Sequence, residues 1–83
     1  MYDVILEEPA KDFVRKLDKS QKERIVNKLE KLKENPRLGK PLTASLAGYW
    51  SLRIGDFRAI YIIQDKQLVV LVLSIGRRKN VYD

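Results

Sequence analysis

The chain has 83 residues and a formal net charge of +6, and it contains neither cysteine nor histidine. This length leaves room for one domain, which we expect to span residues 1–83. The composition excludes disulfides and thiolate nucleophiles, and it removes the commonest general base and metal ligand. The sequence has no apolar run long enough to span a membrane and no signal-peptide pattern, which predicts a cytoplasmic protein with no membrane partner.

Positive charge is concentrated in the second half of the chain. Residues 1–34 carry nine Lys and Arg against eight Asp and Glu, whereas residues 35–83 carry eight against three. The first part is typical of solvated helix surfaces. The excess in the second part favours a polyanionic partner there.

The first half predicts one short strand followed by two helices. Residues 2–6 alternate weakly as a strand does, and a first helix begins at Glu8-Pro9. Ser20 is the predicted N-cap of the second helix, with Glu23 reaching back to it. That helix must end by Asn35, because the following proline disfavours helical backbone in the residue before it. It is expected to bury four apolar side chains, those of Ile25, Val26, Leu29 and Leu32.

The second half predicts three strands after a loop at residues 36–48. Residues 49–54, 57–63 and 68–75 are rich in β-branched and aromatic residues and are joined by short turns, which indicates an antiparallel meander. The predicted fold is α+β. It has an N-terminal strand, a helix hairpin packed on one face of an antiparallel sheet in the order β-α-α-β-β-β, and a short basic C-terminal tail.

Gly55-Asp56 is predicted to form a type II′ hairpin turn. This turn pairs Arg53 with Arg58 on one face of the sheet, where like charges placed directly opposite each other are destabilising. Two interpretations remain open at this point. An anion normally lies between the two guanidinium groups, or both side chains extend into solvent.

The same register assigns the two faces of the sheet. One face is apolar and should pack on the helices; it carries Trp50, Leu52, Ile54, Phe57, Ala59, Tyr61 and Ile63. The opposite face is basic at one end and apolar at the other. Its apolar patch, which either the tail or another protein must cover, consists of Ile60, Ile62, Val69 and Leu71.

Two segments carry a resemblance to a known family. Residues 46–61, LAGYWSLRIGDFRAIY, are similar to the pattern L-x-G-Y-x-x-(L/I)-R-x-G-(D/N)-(Y/F)-R-x-x-Y. Residues 75–82, IGRRKNVY, are similar to a second pattern, an apolar residue followed by G-(H/K/R)-R-x-x-V-Y. In this order and spacing they resemble the RelE/ParE superfamily of bacterial and archaeal toxins, and the resemblance covers the whole chain.

The resemblance implies the toxin of a type II toxin–antitoxin system. Such a toxin is a ribosome-dependent mRNA endonuclease that cuts the A-site codon by 2′-OH attack, and a RelB-like antitoxin holds it inactive in a hetero-oligomer. Arg58 would bind the scissile phosphate, Arg78 would neutralise the leaving group, and Tyr82 would orient the substrate. No cofactor and no metal are implied.

The residues themselves suit such chemistry. Metal-free RNA cleavage needs a base for the 2′-OH, cations for the phosphorane and a donor for the leaving oxygen. Arginine suits the second task, because its planar fork binds two phosphate oxygens and stays charged. Further RNA contacts are assigned to Arg53, Arg77, Tyr49 and Ser51.

One departure leaves the base open. Active members of the family place lysines at the positions that Tyr49 and Ser51 occupy here, so two alternatives stay open: cleavage is weaker, or Lys79 or Tyr82 takes that role. Two alternatives from another class also stay open: a ParE-like inhibitor of DNA gyrase, and a translation blocker that binds without cutting.

Overall fold

The computed structural model describes residues 1–78 as a five-stranded sheet with two helices on one face. Its elements follow the predicted order closely. They are β1 (Asp3–Leu6), α1 (Glu8–Arg15), α2 (Lys19–Glu30), a 3-10 turn (Lys31–Lys33), β2 (Lys40–Pro41), a second 3-10 turn (Ala44–Leu46), β3 (Trp50–Ile54), β4 (Phe57–Gln64) and β5 (Val69–Arg77). No helix within residues 1–78 is long and apolar enough to cross a membrane.

The strand order is β1-β5-β4-β3-β2, and the predicted meander of β3, β4 and β5 is confirmed. Two features lie outside the prediction. Strand β1 pairs parallel with β5, so the sheet is mixed rather than wholly antiparallel. The short strand β2 pairs antiparallel with β3 in a segment predicted to be loop. A parallel pair requires a long connection, and here everything from α1 to β4 lies between β1 and β5 in the chain.

The core lies between the helices and the predicted apolar face of the sheet. Ala59 and Tyr61 are fully buried on that face, and the ring of Phe57 meets the ring of Phe13 edge to face, with centroids 5.7 Å apart. The helices contribute Ala10, Ile25 and Leu29, and the 3-10 turn after α2 contributes Leu32. The predicted facing of β3 and β4 is therefore confirmed.

Two details of α2 differ from the prediction. Its N-cap is Asp18, whose carboxylate accepts a hydrogen bond of 2.8 Å from the backbone N–H of Gln21, and Ser20 lies inside the first turn. Aspartate caps as well as serine does, and it also places a negative charge at the positive end of the helix. Val26 is 47% exposed rather than buried. It lines an apolar cleft of about 140 Å³ between β1 and the helices.

The predicted outer apolar patch is present, but its side chains are partly buried. Ile60 is only 9% exposed, and Ile62, Val69 and Leu71 are half-buried. Ile5 extends the patch, because it pairs with Leu71 and is 48% exposed.

Candidate functional site: a basic groove on the sheet

The β3–β4 turn has the predicted geometry. Gly55 has a φ of +60°, and the only other residues with positive φ in the described chain are Gly48, Ala44 and Leu68. A positive φ at the first turn position alone is the signature of a type II′ turn. Arg53 therefore lies directly opposite Arg58, which confirms the predicted pair.

Strand β5 adds a third arginine beside this pair. Gly76 lies opposite Arg58 and has no side chain to fill the space there. Arg78 lies directly after the last residue of β5, two residues beyond Gly76. The backbone N–H of Arg78 donates a 3.0 Å hydrogen bond to the carbonyl of Asp56, which holds the end of the strand against the hairpin turn. We use the name arginine cluster for Arg53, Arg58 and Arg78, the three arginines whose backbones lie at or beside the hairpin turn.

The cluster is partly sheltered from solvent. Arg58 and Arg78 are both half-buried, and their Nε atoms are buried. Arg53 is exposed. Partial burial strengthens the interaction of a guanidinium group with an anion, because less water screens the charge. The arrangement can therefore hold an oxyanion between two or three arginines.

An open groove of about 470 Å³ leads along the sheet surface into the cluster. Basic side chains from three elements line it: Lys28 from α2, Lys40 from β2, and Arg53 with Arg58 from the hairpin. None of the described residues that line it is acidic. Lys28 and Arg53 also line a second groove of about 440 Å³ beside α2, which adds Arg24 and Lys31 but also Glu23. The surface leading to the cluster is thus strongly positive.

The structure brings together some of the other predicted site residues and separates others. Ser51 lines the groove two residues from Arg53, whereas Tyr49 precedes β3 and is 36% exposed. Arg77 lies on the helix side of the sheet, with its guanidinium 5.2 Å from the ring centre of Phe57, and so faces away from the cluster. Lys79 and Tyr82 lie outside the described residues.

Sequence reasoning did not assign either lysine of the groove to the site. Lys40 belongs to a two-residue strand, which is too short to show any alternation. Lys28 reaches the groove from α2, where its spacing is that of an ordinary solvated helix charge. Only the packing of α2 and β2 against β3 brings these side chains to the arginine cluster.

Comparisons with known proteins agree with this architecture. Residues 4–82 match the family model for the ParE toxin of the type II toxin–antitoxin system parDE. Toxin RelG of Mycobacterium tuberculosis is 40% identical over 50 residues, which make up 60% of this chain and 58% of RelG. This chain thus aligns with somewhat more than half of that relative's length.

Solved structures extend the likeness to nearly the whole chain. A chain of the toxin–antitoxin complex RelBE2 from Mycobacterium tuberculosis is 33% identical with a TM-score of 0.84, covering 93% of this chain and 98% of that one. A chain of the Escherichia coli RelBE toxin–antitoxin complex is 28% identical with a TM-score of 0.77, covering 93% and 96%. The chain therefore belongs to the RelE/ParE superfamily of toxins of type II toxin–antitoxin systems.

Proposed function

We propose that this toxin is a metal-independent endoribonuclease that cleaves mRNA in the ribosomal A site. The observation that carries the proposal is the arginine cluster, in which Arg53 and Arg58 are paired across the hairpin and Arg78 follows the adjacent strand, with its backbone N–H bonded to the carbonyl of Asp56 in the turn. Placing two cations directly opposite each other costs stability unless an anion lies between them. A phosphodiester is an anion that would compensate for this cost.

The proposed reaction is an in-line displacement at phosphorus. The 2′-oxygen of the substrate ribose loses its proton and bonds to the adjacent phosphorus, the P–O5′ bond breaks, and the leaving oxygen takes up a proton. The products are a 2′,3′-cyclic phosphate and a 5′-hydroxyl. Arg58 binds the non-bridging oxygens as negative charge grows on them, and Arg78 neutralises the leaving oxygen. Arg53 binds the other side of the same phosphate.

The remaining predicted residues have supporting roles in this proposal. Ser51 contacts RNA in the groove, and the exposed ring of Tyr49 offers a surface on which a base can stack. Arg77, on the other face, would meet RNA only outside the cluster. Lys79 and Tyr82, which follow the described chain, are the proposed base and the substrate-orienting residue.

The proposed inhibitor is a RelB-like antitoxin in a hetero-oligomer. Two of the structural relatives were solved as toxin–antitoxin complexes, which supports such a partner. An acidic antitoxin segment would neutralise the arginine cluster, and its apolar residues would cover the outer patch around Ile62 and Leu71. This arrangement would explain inhibition, because it fills the phosphate site.

The test is primer extension on a reporter mRNA translated with the purified toxin. We expect cuts within codons, and we expect Arg78→Ala to reduce their intensity about 10²–10³-fold, because one charge-stabilising contact is lost from the transition state. Lys66→Ala, which removes an exposed charge from the β4–β5 turn, is the matched control and should cut normally. Equal cutting by Arg78→Ala and wild type would overturn the assignment of the site.

A second candidate function is binding without cleavage. Tyr49 and Ser51 favour it, because they replace the lysines of active relatives. A ribosome-blocking toxin would arrest translation and leave the mRNA intact, whereas a gyrase inhibitor would leave translation intact and reduce DNA supercoiling. The same primer extension together with a supercoiling assay separates the three outcomes.

A further inference from the structure

We propose that Lys40 is a phosphate-binding residue of this groove and holds the phosphate next to the one bound by the arginine cluster. The inference rests on the proposed function, because it takes RNA to be the ligand. It adds to the RNA-binding site a residue from the segment that connects α2 to β3.

The pairing of β2 with β3 places Lys40 beside the cluster. Lys40 lies directly opposite Ser51, so the two Cβ atoms are about 5 Å apart on one face of the sheet. Arg53 is the diagonal neighbour, at about 7–8 Å, within reach of a long side chain. Because Ser51 is short, it leaves the groove open above it, and the four-carbon stem of Lys40 can extend its ammonium group there.

The fold fixes the backbone of Lys40 through its neighbour Gly39. The hydroxyl of Tyr61, which is fully buried, accepts a hydrogen bond of 3.1 Å from the N–H of Gly39 and donates one of 2.8 Å to the carbonyl of Pro36. A Cβ at position 39 would collide with the carbonyl of Ser51 and lie 2.9 Å from the Tyr61 hydroxyl. The close approach of the two strands thus requires glycine there, and it sets the position of the next residue.

The charges of the groove define the chemistry of its ligand. Lys28, Lys40, Arg53 and Arg58 line it, and none of its described lining residues is acidic. Several cations spread along an open groove match a chain of phosphates better than one small anion. Lysine suits the outer position, since it binds phosphate as a point charge, whereas the arginine forks suit the reacting phosphate.

The test measures binding of a single-stranded RNA hexamer that cannot be cleaved because each 2′-OH is methylated. Fluorescence anisotropy gives its affinity for each variant over a series of salt concentrations. Each phosphate contact contributes about 0.7 to the slope of log affinity against log salt for single strands. We expect Lys40→Ala to reduce the slope by about that amount and Lys66→Ala to leave it unchanged.

A relocated charge makes the test specific. In the double variant Lys40→Ala/Ser51→Lys the ammonium group reaches the same part of the groove from the opposite strand, so the slope should return to the wild-type value. Lys40→Gln, which keeps most of the side-chain stem, replaces the alanine variant if that one does not fold. A wild-type slope in both Lys40 variants would overturn the assignment of Lys40 alone. Failure of the wild-type toxin to bind the hexamer at any salt concentration would overturn this inference, whereas the proposed function is overturned separately, by the absence of cuts in the primer extension on translated mRNA.

Discussion

The two ends of the sheet both hold arginine, but they use it differently. At the end formed by the β4–β5 turn, Arg37 Nη2 lies 2.8 Å from Asp65 Oδ2, and the hydroxyl of Tyr2 donates a 2.6 Å hydrogen bond to Asp65 Oδ1. At the hairpin end, Arg53 faces Arg58 and makes no ion pair within residues 1–78. The first cation is balanced inside the fold, whereas Arg53 is left for an anion from outside.

At the Arg37 end the pKa values reflect this internal pairing. The Tyr2 hydrogen bond, together with the Arg37 guanidinium, holds the pKa of Asp65 below its ordinary value, and the bond to Asp65 raises the pKa of Arg37. This end is therefore an internally satisfied network that ties the first strand, the segment after α2 and the β4–β5 turn together. Position in the sheet alone does not make an arginine functional; Arg37 has a counter-charge in Asp65, whereas Arg53 makes no ion pair within residues 1–78.

The largest expected effect is on cleavage, and we expect it only for substitutions at the hairpin end of the sheet. Arg58→Ala should lower the rate of mRNA cleavage about 10²–10³-fold, because a transition-state cation is lost. Its melting temperature should stay the same or rise, because a like-charge pair with Arg53 is removed. Single-turnover cleavage and thermal unfolding measure the two effects.

Arg37→Ala is the matched control for that variant. It should cut at the wild-type rate and melt slightly earlier, since it loses an ion pair that stabilises the fold. A clear fall in the melting temperature of Arg58→Ala would make Arg58 a structural residue and remove the contrast between the ends.

A second prediction concerns the segment that joins the two ends. Tyr61→Phe should lower the free energy of unfolding by about 1–3 kcal/mol, because the N–H of Gly39 and the carbonyl of Pro36 lose their buried partner. Urea denaturation at neutral pH measures this loss. A stability equal to that of the wild type would show that the hydroxyl does not hold this segment in place.

The same residue predicts a loss of stability in alkali. Burial raises the pKa of Tyr61 above its ordinary value of 10.0. The unfolded chain therefore releases this proton first, and the stability that comes from keeping the ring neutral is present below pH 10 and lost as the pH rises further. Tyr61→Phe should lack this component. The pKa of Tyr2 is raised as well, chiefly by its hydrogen bond to Asp65. Tyr2→Phe is therefore the control: it removes the Tyr2 contribution and should keep the loss of stability in alkali that comes from Tyr61.

The smallest expected effect is at Asp65. Its lowered pKa means that its stabilising contribution is present above its ordinary pKa of 3.8 and lost as the pH falls further. Asp65→Asn should slightly lower the melting temperature at neutral pH and reduce its dependence on acid, with no change in cleavage. Thermal unfolding at several acidic pH values tests this. A loss of cleavage would contradict the assignment of this end as purely structural.

Local chemistry explains what the sequence could predict. The hairpin register and the facing of β3 and β4 follow from Gly55-Asp56 and from simple alternation, and both are confirmed. The parallel pairing of β1 and the short strand β2 depend on contacts between distant segments. Neither the spacing of apolar residues nor a turn sequence predicts such contacts. The sequence analysis placed the N-cap of α2 at Ser20, whereas in the structure Asp18, two residues earlier, caps the helix.

The candidate site also has a part that local sequence predicts and a part that depends on contacts between distant segments. The pairing of Arg53 with Arg58 could be predicted from the turn alone, because the turn sets the register and the register sets the cross-strand neighbours. The position of Lys40 in the groove could not be predicted, since it depends on a two-residue strand whose place is set by Gly39 and the buried hydroxyl of Tyr61. The separation of Arg77 from the cluster likewise became visible only with the register of β5.

The most direct test of the central claim, that the hairpin end of the sheet binds the RNA phosphate, is an NMR titration of the arginine side chains. The uncleavable RNA hexamer is added to ¹⁵N-labelled toxin, and the Nε–Hε signals of Arg53, Arg58 and Arg37 are followed. We expect the first two signals to shift and saturate together while that of Arg37 stays in place. Saturating shifts at Arg37, or none at Arg53 and Arg58, would contradict the claim.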